Sequence, residues 1–227
     1  MATQTSPAPS TPSRSWVRAG LQRAVFALPI ALFAVAGWTQ RWIVDDGFIY
    51  LRVVQQIVSG NGPVFNEGER VEAFTSPLWL AALSVADLVA PIRLEWLAVG
   101  LGIALSAVGL SLMMAGAAAL VRRTGPGALL VPFGALVLPA LIPVWIFQTS
   151  GLENGLVLCW LGACLFVLAR WARSTRRMPW QVAVVIGLGW LVRPELVLFS
   201  AVFVLAVLAV EWSHDTGPPA SAWSARQ

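Results

Sequence analysis

Two adjacent aspartates, Asp45 and Asp46, separate the first apolar run of the chain from the amphipathic stretch FIYLRVVQQIV. Adjacent carboxylates can supply a general base, a metal ligand or both, because each charge disfavours ionisation of the other. An aspartate in front of a helix can instead cap its first turn and interact favourably with its dipole. One aspartate is enough for a cap, so the second needs another reason. A catalytic role and a capping role both stay open for this pair.

Four further charged residues could take part in a site. Glu153 is the one ionisable residue of the short loop QTSGLENG, where it could cap the following helix or contact a substrate. Arg193 and Glu195 interrupt an apolar stretch, WLVRPEL, in which an unpaired charge costs about 2.5 kcal/mol or more. They could pair with each other at a helix break, or Arg193 could bind phosphate oxygens through its planar guanidinium. Glu72 points either into a site or into solvent.

The composition identifies the solvent in which these residues operate. Of the 227 residues, 58% are hydrophobic and 11% are charged, whereas soluble domains carry about 25% charged residues. The chain is therefore expected to lie in a membrane. Two cysteines, both in one apolar segment, and a single histidine provide neither a disulfide framework nor a nitrogen or sulfur metal site. An oxygen-ligated divalent cation remains compatible with the acidic residues.

The spacing of apolar runs predicts an all-α integral membrane fold with about six transmembrane helices in one polytopic unit, residues 24–210. Residues 1–23, rich in Pro, Ser and Thr, are predicted to form a disordered cytoplasmic tail, and residues 211–227 form a polar tail. A secretory signal in the first run is disfavoured, because further apolar spans follow it. The expected spans are 24–39, 97–121, 128–147, 155–169, 196–210 and the shorter 181–192.

Arginine-rich segments predict which side of the membrane each loop occupies. The N-terminal tail and the loops after residues 121 and 169 are arginine-rich, so all three are assigned to the cytoplasm. The chain must then cross an even number of times between them, which makes Pro77–Ile92 a helix at the outer interface. Trp79 within this segment and Trp96 just after it are expected at the headgroup level, with Asp87 and Arg93 in water.

This topology gathers residues 41–96, 148–154 and 193–195 on the outer face. Nine of the eleven acidic residues lie there, so the net charge of +4 reflects arginines on the inner side and does not indicate nucleic-acid binding. The first outer loop is also expected to contain a short hairpin that pairs 64–65 with 71–74.

The stretch DDGFIYLR…SGNGPVFNEGERVEAFTSPLW resembles the first extracytoplasmic loop of the GT-C superfamily, polytopic glycosyltransferases that use polyprenyl-phosphate sugar donors. It is most similar to actinobacterial terminal arabinofuranosyltransferases, and the later TSGLENG and RPE agree in order and predicted side. The resemblance implies that Asp45 or Asp46 deprotonates the acceptor and that Arg193 binds the donor phosphate. It also implies that Glu72, Glu153 and Glu195 position sugar hydroxyls or orient Arg193.

The resemblance further implies transfer of arabinofuranose, with inversion, to a cell-envelope glycan outside the plasma membrane. Members of that family are longer, so this chain is expected to correspond to their N-terminal portion, and a second polypeptide could supply the remainder. The alternative is a non-catalytic membrane subunit that binds the lipid-linked sugar. A transporter is less favoured, because charged residues are almost absent from the middle of the spans.

Overall fold

A computed structural model describes residues 14–69, 71–121, 129–174 and 178–216. These residues form helices and connecting loops and contain no strand, which confirms the all-α membrane fold. The helices are α1 (Arg14–Thr39), α2 (Asp45–Val58), α3 (Pro77–Val89), α4 (Leu94–Leu120), α5 (Phe133–Val137), α6 (Ile142–Gln148), α7 (Asn154–Ala172), α8 (Trp180–Gly187), α9 (Gly189–Val192) and α10 (Val197–Thr216). Short 3₁₀ helices, Leu138–Ala140 and Pro194–Leu196, precede α6 and α10.

Four of these segments are long and apolar enough to cross a membrane: Trp16–Thr39, Leu94–Leu120, Asn154–Ala172 and Pro194–Trp212. The boundary predicted at residue 23 falls inside α1, which begins at Arg14, while residues 1–13 of the predicted tail lie outside the described residues. In the same way, α10 continues past residue 210 to Thr216.

The pair α4 and α7 forms the centre of the bundle. Gly102 of α4 packs on Gly155 of α7, and Gly109 packs on Gly162. A side chain at Gly109, Gly155 or Gly162 would collide with the backbone of the other helix, and one at Gly102 would collide with the carbonyl of Gln148. Small residues that let backbones approach are typical of helix pairs in membranes. Because the two contacts advance in the same direction along both helices, α4 and α7 are parallel, and the chain between them must return to the starting end.

The two remaining expected spans are interrupted. Residues 129–148 contain Pro132, Pro139 and Pro143, which remove backbone donors and divide the segment into α5, a 3₁₀ turn and α6. The segment nevertheless runs back along α4, because it ends at Gln148, whose carbonyl lies against Gly102 near the start of that helix.

The second interrupted span, residues 180–192, divides into α8 and α9 at Leu188. It runs antiparallel to α7: Trp160 Nε1 donates to Val185 O at 2.7 Å, and further along Arg193 reaches Glu153 just before α7 begins. Six segments of the described chain therefore run between the two ends of the bundle. α2 and α3 lie at the end where α1 stops and where α4 and α7 begin, which we call the site end.

Two local predictions for the site end were wrong. Residues 64–69 and 71–74 form turns and extended loop without the predicted hairpin. Trp79 is fully buried instead of lying at the headgroup level, because α3 packs against Val53 and Val54 of α2 as well as against α4. Trp96, in contrast, is 41% exposed.

Candidate functional site

The loop before α7 holds the site end together. Thr149 and Ser150 are fully buried, and Ser150 O accepts a hydrogen bond from Val44 N at 3.0 Å. Gly151, whose φ of 86° suits a residue without a Cβ, accepts one from Trp79 Nε1 at 2.9 Å. The loop thereby fixes the start of α2 and the buried side of α3 beside Glu153.

Gly47 allows this close approach. A Cβ at Gly47 would collide with Ser150 O and lie 2.8 Å from Ile43 Cγ2, so the first turn of α2 rests directly on the loop backbone. The sequence analysis assigned no role to this glycine. Its position directly after the two aspartates was the available signal, since glycine inside a helix is costly unless another backbone comes close.

Asp45 and Asp46 are the first two residues of α2, and both are exposed. The N-cap position belongs to Val44, and no side chain caps the helix. The aspartates can still interact favourably with the helix dipole, but the capping hydrogen bond that competed with a site role is not formed. The two side chains differ in placement, because Asp46 lines the cleft described below whereas Asp45 is not one of its lining residues.

Glu153 is only 2% exposed and forms an ion pair with Arg193, in which Arg193 Nε lies 3.2 Å from Glu153 Oε1. Glu153 occupies the N-cap position of α7, yet its side chain does not cap the helix. Its second oxygen, Oε2, is buried and has no hydrogen-bond partner among the described residues. The carboxylate therefore turns away from its own helix toward Arg193.

Arg193 also pairs with Glu195, at 3.3 Å between Nε and Oε2. The pairing predicted at the helix break is thus present, and Pro194 begins the 3₁₀ helix that creates the break. The two carboxylates differ in environment, because the Glu195 side chain is 65% exposed and that of Glu153 is 3% exposed. Arg193 is 35% exposed, so its guanidinium has one buried partner, one solvated partner and an open side.

One open cleft of about 760 Å³ brings most of these groups together. Four of the six predicted site residues line it: Asp46, Glu72, Glu153 and Arg193. Glu195 reaches this group through Arg193, and Asp45 adjoins Asp46 in the chain. Glu72 lies in the loop 71–75, is exposed, and makes no hydrogen bond or ion pair with the described residues.

Tyr50 of α2 fixes the loop that carries Glu72. Its hydroxyl oxygen accepts hydrogen bonds from Ser76 N at 2.9 Å and from Thr75 N at 3.2 Å, and it also lies 3.2 Å from Thr75 Oγ1. Burial, assisted by the nearby Glu153 carboxylate, raises the pKa of Tyr50 above that of a free phenol. Tyr50 therefore stays neutral and serves as an anchor for the loop. The sequence analysis did not select it, although it is the single tyrosine of the chain.

A second cleft of about 650 Å³ adjoins the first and shares Val71, Glu72, Phe74 and Thr75 with it. Its far wall includes Trp190 of α9. The loop 71–75 thus divides two open spaces at the site end. Within the described residues, no three His, Cys, Asp or Glu side chains are close enough to hold a metal ion together.

Comparison with known proteins gives two relatives, both terminal beta-(1->2)-arabinofuranosyltransferases. The protein from Mycobacterium tuberculosis is 42% identical over 207 residues, which cover 86% of this chain and 33% of the relative. The protein from Corynebacterium glutamicum is 38% identical over 208 residues, which cover 82% of this chain and 30% of the relative. The resemblance found in the sequence is thereby confirmed, and the chain spans about a third of the length of the curated relatives it matches.

No protein-family model matches the chain. No solved structure matches it either.

Proposed function

We propose that this chain forms the donor-binding and catalytic module of a membrane glycosyltransferase. The module transfers arabinofuranose from a polyprenyl-phosphate donor to a cell-envelope glycan on the extracytoplasmic face of the plasma membrane. The observation that carries the proposal is the cleft at the site end, in which Asp46, Glu153 and Arg193 meet. Similarity to arabinofuranosyltransferases supports the choice of sugar and of reaction.

Arg193 is suited to hold the donor phosphate. A guanidinium keeps its charge at any relevant pH and offers several donors to phosphate oxygens. The buried Glu153 orients this guanidinium from behind, while the exposed Glu195 can move away when a phosphate arrives. Arg193 lies beside the start of the apolar segment Pro194–Trp212, so a lipid tail can stay in the bilayer while its phosphate reaches the arginine.

Asp46 is the proposed general base, because it faces the cleft and its carboxylate has no ion-pair partner among the described residues. In the proposed reaction the acceptor hydroxyl oxygen attacks the anomeric carbon from the side opposite the phosphate. The bond between that carbon and the phosphate oxygen breaks, its electrons leave with polyprenyl phosphate, and Asp46 takes the hydroxyl proton. Such a single displacement inverts the anomeric configuration.

The remaining carboxylates can bind sugar hydroxyls. Glu153 Oε2 is a buried acceptor without a partner, and an unpaired buried acceptor is costly, so a donor hydroxyl placed against it would be held well. Glu72 can also accept hydrogen bonds in the same cleft. Together they would orient the donor ring between Arg193 and Asp46.

The test is arabinose transfer in membranes that contain the chain, with a synthetic polyprenyl-phosphoarabinose donor and an arabinan oligosaccharide acceptor. Asp46→Asn should lower kcat by about 100-fold or more, as expected when a general base is removed, and should leave donor binding nearly unchanged. Asp45→Asn is the matched control, and its effect should be much smaller. Equal activity of the wild type and Asp46→Asn would contradict the assignment.

A second candidate function follows from the length of the match, since the chain spans about a third of its relatives. In this alternative the chain is a non-catalytic subunit that binds the lipid-linked sugar for another polypeptide. Wild-type membranes that bind the donor analogue without transferring its sugar, and that gain transfer when the partner polypeptide is added, would favour this alternative.

A further inference from the structure

We propose that a separate, smaller pocket at the site end, distinct from the two clefts described above, binds a sugar unit of the acceptor glycan. The pocket has a volume of about 440 Å³ and lies between the end of α1 and the start of α4. It is lined by Thr39, Arg41, Trp42, Ile43, Phe48, Glu95, Trp96 and Val99. The volume of the pocket is within the range of small-ligand sites, about 300–1,000 Å³. The identity of the glycan rests on the proposed function.

Arg41 contacts two tryptophan rings beside this pocket. Its guanidinium carbon lies 4.7 Å from the centre of the Trp38 ring and 5.1 Å from that of Trp96, and Nη1 donates to Trp38 O at 2.6 Å. The two rings lie 5.7 Å apart. Two cation–π contacts and a hydrogen bond remove most of the freedom of an arginine side chain, so little entropy is lost when it binds a ligand.

Two indole rings form the apolar surfaces of the pocket. Trp42 and Trp96 are each 41% exposed, and Trp42 is oriented by a hydrogen bond from its Nε1 to Ile146 O at 3.3 Å. A sugar ring carries C–H groups on its faces and hydroxyls at its edges. Oriented aromatic rings can contact those faces, while charged groups beside them bind the hydroxyls.

Glu95 provides the polar edge that a sugar requires. It lies in the first turn of α4, and its side chain is 40% exposed and within 3.5 Å of Arg93. The Glu95 carboxylate can accept hydrogen bonds from sugar hydroxyls, and the Arg41 guanidinium can donate to them. Trp and Arg at the ends of spans also contact lipid headgroups, so binding of a lipid headgroup is the competing outcome of the test.

The position of the pocket relative to the cleft fits an acceptor. Ile43 and Phe48 line the pocket, and Asp46, between them in sequence, lines the cleft, so the first turn of α2 separates the two spaces. A glycan with one unit in the pocket can extend its terminal unit across this turn to Asp46. The pocket then selects a polymer over a free monosaccharide as acceptor.

The proposal is tested by saturation-transfer NMR and calorimetry on the purified chain in nanodiscs, with a soluble arabinofuranose oligosaccharide. The wild type should bind it, and Glu95→Gln and Trp42→Ala should each weaken binding at least fivefold. Trp180→Ala, which removes a 69% exposed tryptophan outside the pocket, should leave binding unchanged. Glu95→Gln keeps the size of the side chain, so its result does not depend on a disturbed fold.

Two results would overturn the proposal. One is oligosaccharide binding that is absent, or equal in the wild type and both variants. The other is that Glu95→Gln and Trp42→Ala bind phosphatidylglycerol more weakly than the wild type while their oligosaccharide binding is unchanged. That result would identify a lipid-headgroup site. Binding of a polyprenyl-phosphate donor analogue, measured in parallel, separates failure of the acceptor-pocket proposal from failure of the proposed function. Donor binding should persist in all three variants. Its absence from the wild type would contradict the proposed function, not the pocket.

Discussion

The ion pair between Glu153 and Arg193 yields a quantitative prediction. Its atoms are 3.2 Å apart, and the Glu153 side chain is 3% exposed while that of Arg193 is 35% exposed. Removing one partner from a fully buried pair costs about 3–5 kcal/mol. Because Arg193 is partly solvated and has a second carboxylate nearby, we expect Glu153→Gln or Arg193→Gln to lower the free energy of unfolding by about 2 kcal/mol.

A double-mutant cycle isolates the interaction itself. The coupling energy between Glu153 and Arg193 should be about 1–2 kcal/mol, measured by SDS-induced unfolding of the purified chain in detergent micelles. The matched cycle between Glu195 and Arg193 joins atoms at nearly the same distance, 3.3 Å, but Glu195 is exposed. Its coupling should be indistinguishable from zero, since solvent screens such pairs. Equal couplings in the two cycles would refute the argument that burial, not distance, decides the strength.

Two further predictions concern the supports of the site. Gly109→Val should destabilise the chain by about 1–3 kcal/mol or more in thermal unfolding, because a Cβ there would lie 2.6 Å from Cys159 N. Gly100→Val is the control and should have little effect, because a Cβ at Gly100 would have nothing within 4 Å. Tyr50→Phe leaves the Ser76 amide without its acceptor and should cost about 1–3 kcal/mol, with kcat reduced more than donor affinity. Since burial raises the pKa of Tyr50, its phenol should stay neutral wherever a free phenol does. This variant and the wild type should therefore share the alkaline side of the rate profile over that range, and a shift there would contradict a neutral Tyr50.

The all-α membrane architecture could be predicted from the sequence because it depends on the length of the apolar runs. Pro77–Ile92 was predicted to lie outside the set of spans, and α3, which covers most of it, packs with α2 at the site end. Hydropathy alone could not show that prolines divide residues 129–148, because Pro139 and Pro143 barely change the mean hydropathy of the segment. It could not place Trp79 either, since the side of an apolar helix that meets protein is decided by long-range packing.

The residues of the candidate site could be predicted from the sequence, but the contacts between them could not. The sequence analysis selected Asp46, Glu153 and Arg193, but left capping and ion pairing open, because contacts between distant residues have no local signature. The spacing of seven between Gly102 and Gly109, and again between Gly155 and Gly162, was a visible signal of a tight helix pair.

The central claim is that the cleft binds a polyprenyl-phosphate sugar through Arg193. Its most direct test is the equilibrium affinity of the purified chain for a non-transferable polyprenyl-phosphoarabinose analogue, which requires no turnover. Arg193→Gln should weaken binding by about 10-fold or more, the loss expected for a charge-assisted phosphate contact, whereas Arg18→Gln, an exposed arginine at the opposite end of the bundle, should have no effect. Unchanged affinity in Arg193→Gln would contradict the account.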